Sequence, residues 1–432
     1  MASWSNWSGH VRGEPQRIVR PETEAELAAA LRDGVGPVRV VGSGHSFTPL
    51  GETNGTLISL DALAGVVSAD ADALTATVKA GSRIHALGRP LFDLGVGLKN
   101  QGDIDRQSIG GAVGTGTHGT GPTLGSISAE VKGFRLVTAS GEVLDCSASS
   151  NADVFEAGRV SFGTLGVMSE ITLSVRKAYK LREKNWVMPL AECWRDIAKL
   201  KEQHRHFEFF WFPHANAVVA KALDEVEDDV AAPISSEQMF ERGERVSSDQ
   251  RAFKIGCEIA RVVPAFSARV QRFFTNASMG ASLRTRWAHE IFPSARNTRF
   301  NEMEYAVPAA NGVDCIREIA EAIVAKPIPG VFPIEFRYVK ADDIWLSPFY
   351  KRDAVTISVH QYHRQPFEPL FNVAEAIFRR YGGRPHWGKL HSLKFAELER
   401  LYPRWNDYLA LRRRLDPNDK LPNSYLRQVF GV

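Results

Sequence analysis

Residues 102–126 hold eight glycines in 25 positions, against 35 in the 432 residues of the whole chain. Such density demands close backbone approach or several special turns, because glycine enters positive φ without a Cβ penalty. Within it, Gly114-Thr115-Gly116-Thr117-His118-Gly119 spells GxGxxG. Thr120-Gly121-Pro122-Thr123 follows, which cannot supply the amide-lined helix start that a Rossmann fingerprint needs. A second loop, Gly42-Ser43-Gly44-His45-Ser46-Phe47, ends the β-run Val38–Val41. Gly44-His45-Ser46-Phe47-Thr48 lacks the last glycine of a nucleophile elbow, and Pro49 and Gly51 deny it the long helix. It is then either a strand-ending turn or a loop whose bare amides wrap a pyrophosphate, with His45 facing the ligand. Two glycine loops, neither leading into a helix, predict a dinucleotide held by extended backbone.

At about 150 residues per domain the length implies two or three folding units. Apolar residues make up 44% and charged residues 24%, values that exclude disordered and fibrous classes. The formal charge of +3 is too balanced to predict nucleic acid or an anionic membrane surface as partner. Cys146, Cys193, Cys257 and Cys315 form no CxxC pair, and such sparse thiols fit a reducing compartment. No apolar run reaches the length of a transmembrane helix. The N-terminus has no apolar core of a signal peptide, so a soluble cytoplasmic protein is expected.

Thr23 is placed to cap a helix carrying Leu27 and Leu31, stopped at Gly34. Strands are predicted at 56–60, 74–80 and 169–176, a helix near 82–95, and a hairpin turning at Ser140-Gly141. The second half predicts strands at 207–214, 217–223, 302–307, 333–339 and 354–362. Helices are expected at 190–203, 236–290, 311–325 and 366–381. That order is an α+β arrangement, an antiparallel sheet with helices on one face.

These loops carry a resemblance. VGSGHSF at 41–47, SIGGAVGTGTHGTG at 108–121 and FGTLGVMSEITL at 162–173 resemble the FAD domain of the vanillyl-alcohol oxidase flavoprotein family. EFRYV, the strand with His360, GGRPHWGKLH at 382–391 and LDPNDKLPNSYLRQVF at 415–430 resemble its sugar-1,4-lactone oxidase branch, with alditol oxidase a close relative. The resemblance implies a two-domain flavoprotein. An FAD-binding domain would span 1–176 and a substrate domain 177–432, whose segment 382–432 returns to the flavin. The implied reaction is oxidation of an aldono-1,4-lactone by hydride transfer to flavin N5. Val41, Gly42, Ser43, Gly44, His45, Ser46 and Phe47 would cradle FAD, with His45 covalently joined to it. Gly102, Asp103, Ser108, Gly111, Gly114, Thr115, Thr117, His118, Gly119 and Lys389 would run along the cofactor, and Gly166 and Val167 would close its adenosine side.

On the substrate side, period-two geometry puts Glu335 and Arg337 on one strand face, and Thr356, Ser358, His360 and Tyr362 on another. By pattern alone these make an ordinary half-exposed sheet or a polyol pocket. The resemblance implies that Glu335, Arg337 and Lys389 bind substrate oxygens, with His360 as candidate base. Asp103 stands where alditol oxidases carry serine and Tyr362 where they carry threonine, which favours a lactone over a linear alditol. Gly102 lies where alanine in related dehydrogenases shuts oxygen out, so an oxidase forming hydrogen peroxide is expected. No metal is expected: His360/His363 and His386/His391 have spacings poorly suited to a shared ion.

Overall fold

The computed structural model describes residues 2–278, 282–326 and 328–432. The N-terminal part contains a parallel three-stranded sheet ordered Arg17–Val19, Thr56–Ser59, Val38–Val41. The helix Glu24–Arg32 makes its crossover, and Thr23 accepts the Glu26 amide at 3.2 Å as its cap. Beside it lies a five-stranded antiparallel sheet ordered Val143–Ser147, Val131–Val137, Val167–Ser174, Thr75–Lys79, Val66–Asp70. The predicted hairpin forms, pairing Val137 with Val143.

One element differs from the expectation of two helix-free glycine loops. Ile109–Thr115 is a short helix, capped by Ser108 and ended by Gly116 at φ +77°. It hides from sequence reading because Gly110, Gly111 and Gly114 are poor helix formers. Packing explains one of them, since a Cβ on Gly110 would lie 3.0 Å from the Ala80 carbonyl.

The second part is built on an eight-stranded sheet. Its order is Ser282–Trp287, Lys180–Pro189, Ala217–Val226, His206–Trp211, Ile334–Val339, Ala354–Tyr362, Phe300–Pro308, Arg384–Pro385, and every pair is antiparallel. Leu190–Gln203, Gly312–Ala325 and Glu368–Arg380 pack on this sheet. Phe209 and Phe336 stack at 4.7 Å within the shared apolar core, beside Tyr305 and Ile357. Residues of opposite parity on the same strands are charged, and they too are buried.

The C-terminal segment returns to the first domain. Arg39, 1% exposed, donates to the carbonyls of Leu50, Phe162 and Leu421 at 2.6, 2.7 and 2.9 Å, and to Gly163 at 3.2 Å. The Val38 amide donates to the Lys420 carbonyl. One guanidinium thereby ties a strand end, a glycine loop and the C-terminal segment together. Burial pulls Arg39 down to about 10, still charged at neutral pH. Arg39→Met keeps the stem but strands four buried carbonyls. It is expected to lower stability by about 3 kcal/mol or more, measured by urea denaturation.

Candidate functional site

Three glycine segments wall one cleft, with about 940 Å³ of empty space counting its open mouth. Gly42–Ser46 line one side, Gly110, Gly111 and Gly114 another, and Gly163, Gly166 and Val167 the third. Gly42 has no alternative: a Cβ there would fall 1.9 Å from Ser108 Oγ. Among the described residues, no acceptor takes the amides of Ser43, Gly44, His45 or Ser46. Four consecutive free donors make an anion-binding concavity. The short helix contributes no such donors at its start. Its Ile109 and Gly110 amides bond the Ser82 and Ala80 carbonyls at 2.8 Å, and the Gly111 amide bonds Ser108 Oγ. An anionic dinucleotide linker therefore fits the extended loop rather than a helix dipole.

The His45 ring stacks on Trp7 with centroids 5.6 Å apart. Burial, helped by Arg83, Arg106 and Lys389, pulls His45 down to about 4, so the imidazole is neutral at pH 7. The loop beyond it is held by the C-terminal segment. The Phe47 amide donates to Gly388 O at 2.7 Å, and Thr48 Oγ1 to Trp387 O at 2.8 Å. Lys389, next in the chain, places its Nζ 5.6 Å from the Phe47 ring.

From there the polar face of the eight-stranded sheet begins. Lys389 pairs with Glu302, whose other oxygen lies 3.3 Å from His360 Nε2. Glu304 accepts from Ser358 Oγ at 2.6 Å and lies 2.8 Å from His118 Nε2. His118 Nδ1 faces the Gly119 carbonyl at 2.8 Å, which can only accept, so that nitrogen is the donor. Arg337 reaches Glu208 and Glu335, both at 2.5 Å, and Asp103 at 3.5 Å. Asp103 also pairs with Arg296, and Glu208 accepts from Lys221 at 2.9 Å.

Charges in this row are set by their partners. Burial would raise Glu302, but Lys389 and His360 hold it at about 2. Burial would likewise raise Asp103, yet Arg296 and Arg337 keep it well below the carboxylate range. Glu335 is the exception. Burial pushes it up to about 7; Arg337 opposes this, while Asp103 and Glu208 add to it. Its Oε1 is buried without a hydrogen bond despite the nearby guanidinium.

The structure thus groups Asp103, Glu335, Arg337, His360 and Lys389 on or beside one face. Thr117, His118 and Gly119 lie away from the cleft wall. Thr117 accepts from Gln107, and a Cβ on Gly119 would meet Asn100 and Gln101 at 2.4 Å. Tyr362 is not brought to the group. It ends its strand under the helix Ser248–Val262, donates to Glu258 at 2.7 Å and packs with Phe212, Cys257 and Phe274. The paired histidines of the sequence also separate, since His391 faces Tyr425 while His386 lies beside His118. Two other groups, His118/Glu304/His386 and Glu302/Glu335/His360, have ligand atoms within 4.8 Å. Hydrogen bonds and ion pairs already engage most of them. Sequence reading missed Trp7, Glu208, Lys221, Arg296, Glu302 and Glu304. The signal available was a charge inside an apolar strand, as in Phe207-Glu208-Phe209 and Asn301-Glu302-Met303-Glu304.

Residues 15–147 match the family described as FAD binding domain, in keeping with the free amides of the cleft, and the protein is an FAD-dependent oxidoreductase. Its branch is fixed by the rest of the chain. Residues 171–429 match the family described as D-arabinono-1,4-lactone oxidase, and the chain belongs to that family. It is 38% identical over 431 residues to L-gulono-1,4-lactone dehydrogenase of Mycobacterium tuberculosis, covering 99% of both chains. It is 29% identical to L-gulonolactone oxidase of Scyliorhinus torazame, covering 99% of this chain and 98% of that one. The fold is similar to that of a solvent-stable cholesterol oxidase, with TM-score 0.83 over 99% of this chain and 97% of that one; at 17% identity the likeness is of fold alone.

Glu335 titrates at about 7 when folded, against an ordinary 4.5. Between those values the folded form keeps a proton that the unfolded chain has released, so its contribution to stability falls as pH rises from 4.5 to about 7. Glu335→Gln removes the titration. The wild-type-minus-variant difference in unfolding free energy should shrink across that window and stay flat above it, as read by urea denaturation at a series of pH values.

Proposed function

We propose that the protein oxidises an aldono-1,4-lactone of the L-gulono or D-arabinono type, at a secondary hydroxyl held between Arg337, Lys389 and Glu335. The observation that carries this reading is the meeting of two cations and one raised carboxyl beside the FAD loop. FAD, when bound, supplies the acceptor for the hydride leaving the substrate carbon. Arg337 and Lys389 donate to substrate oxygens, and their fixed positive charge favours the electron-rich product state. The hydroxyl proton passes to Glu335 rather than His360. Glu335 titrates near neutrality, as a general base requires, with its Oε1 set 2.5 Å from Arg337 Nη2. Both His360 nitrogens already face acceptors, the Pro333 carbonyl and Glu302.

Asp103 supports a lactone over a linear alditol, because its pairing with Arg296 and Arg337 closes the far end with an ion pair. Tyr362 no longer contributes to that argument. Gly102 supports oxygen as the acceptor, with hydrogen peroxide as product. Being glycine, the position carries no side chain to fill space beside Asp103. Four buried unpaired cysteines support work in the reducing cytoplasm. Among the described residues, no helix is long and apolar enough to cross a membrane.

Anaerobic mixing with L-gulono-1,4-lactone, D-arabinono-1,4-lactone and xylitol should bleach the flavin fastest with a lactone. Arg337→Ala or Lys389→Ala should slow that bleaching by about 100-fold or more while FAD stays bound. Equal rates in the variants would sink the site assignment, and faster bleaching by xylitol would favour alditol oxidation. Admitting air then tests the acceptor, since reduced flavin that persists until a dye or quinone is added marks a dehydrogenase.

The neutral imidazole of His45, its lone pair available beside the free amides, supports covalent attachment of the flavin. Acid precipitation should leave the yellow colour in the pellet. His45→Ala should release it to the supernatant.

A further inference from the structure

The balanced net charge conceals local segregation. Residues 248–273 carry five Arg and Lys against two acids, Asp249 at the start of the first helix and Glu258. They form a helical hairpin, Ser248–Val262 and Ser267–Phe273, joined by the turn Pro264–Phe266. Its inner side is anchored: Gly256, Cys257 and Ala260 are buried, and Cys257 and Ala260 pack in one apolar cluster with Phe274 and Tyr362.

Its outer side is unusual. Ile255, Ile259 and Val262 recur at helical spacing with 61%, 43% and 67% exposure. The tip Val262-Val263-Pro264-Ala265-Phe266 is five consecutive apolar residues, all exposed. Such a run has no folding rationale in water. Glu258 is fully engaged, accepting from Arg261, Tyr362 and Arg364. Arg251, Lys254, Arg269 and Arg272 are exposed and form no ion pair among the described residues. The Arg269 guanidinium lies 5.1 Å over the Phe266 ring, so cation and apolar tip share one edge. The acids of the preceding helix Ser236–Glu244 belong elsewhere, since that helix packs on Ile84–Asp93.

We propose that this hairpin docks the protein on an anionic lipid bilayer, with the 262–266 tip among the acyl chains and the four free cations on the headgroups. At 15 residues the longer helix is too short to cross a bilayer and suits the interface. Charge complementarity selects the occupant. A second copy bound through the same face would set this cationic patch against itself, whereas anionic headgroups neutralise it.

The test is flotation of the FAD-loaded protein with vesicles of phosphatidylglycerol and phosphatidylcholine, against pure phosphatidylcholine, at low salt. The protein should float with the anionic vesicles, and salt should release it. Val262→Asp with Phe266→Asp should cut the bound fraction about tenfold or more. Arg269→Ser and Arg272→Ser should each weaken binding about fivefold. All variants should keep wild-type flavin absorbance and melting temperature, since none of these side chains is buried. Absence from the anionic vesicles, or equal flotation of the aspartate variant, overturns the proposal. So does a lipid-free dimer that the same variant dissolves, which would assign the face to a second copy.

Discussion

Buried charge on one face of the eight-stranded sheet is tolerated because its signs alternate. From Glu183 through Lys221, Glu208, Arg337 and Asp103 to Arg296, each carboxylate lies against a cation from a neighbouring strand or loop. Removing one member leaves its neighbour desolvated and unpaired, a loss of several kcal/mol in comparable buried pairs. That constraint fixes the side chains without a substrate to hold them. It also leaves Glu335 crowded by two other carboxylates around one shared guanidinium. The tension that destabilises its charged form is what gives it a proton affinity near neutrality.

The cofactor cleft and this polar face are joined through a single loop. The GxGxxG-like stretch begins in the cleft wall at Gly114 and carries, one residue before its end, His118, which is bonded to Glu304 on the sheet. Lys389 makes the reverse crossing. It is carried by the C-terminal segment that clamps the Phe47–Thr48 turn, yet its ammonium belongs to Glu302. Neither domain presents a finished site by itself. The polar groups of the two sides are aligned by backbone bonds made at the seam.

Many of the strands, the hairpin at Gly141 and the glycine loop around His45 were legible in the sequence because each rests on a local signal, period-two alternation or glycine density. The strand Lys180–Pro189 was not foreseen, and Ser282–Trp287 forms where helices were expected. The alternation in residues 333–339 also put Glu335 and Arg337 on one face, and the structure places them together. What stayed hidden depends on pairing between distant strands. Glu302 and Glu304 gain meaning only when His360 and Ser358 stand opposite them, a register no local pattern reveals. Tyr362 shares its strand parity with His360, but the strand runs out from under the site before reaching it. The helix at 109–115 was masked by glycines that serve tertiary contact rather than helix propensity.

The reach of Arg39 to the Leu421 carbonyl spans 382 residues of chain. On the ribosome, the first domain emerges with this guanidinium one acceptor short and the Val38 amide unpaired. The carbonyl that completes the guanidinium is synthesised 382 residues later. The nucleotide-binding half is therefore closed only once residue 421 has been made. A chain interrupted before residue 420 would leave Arg39 and the Val38 amide each one acceptor short.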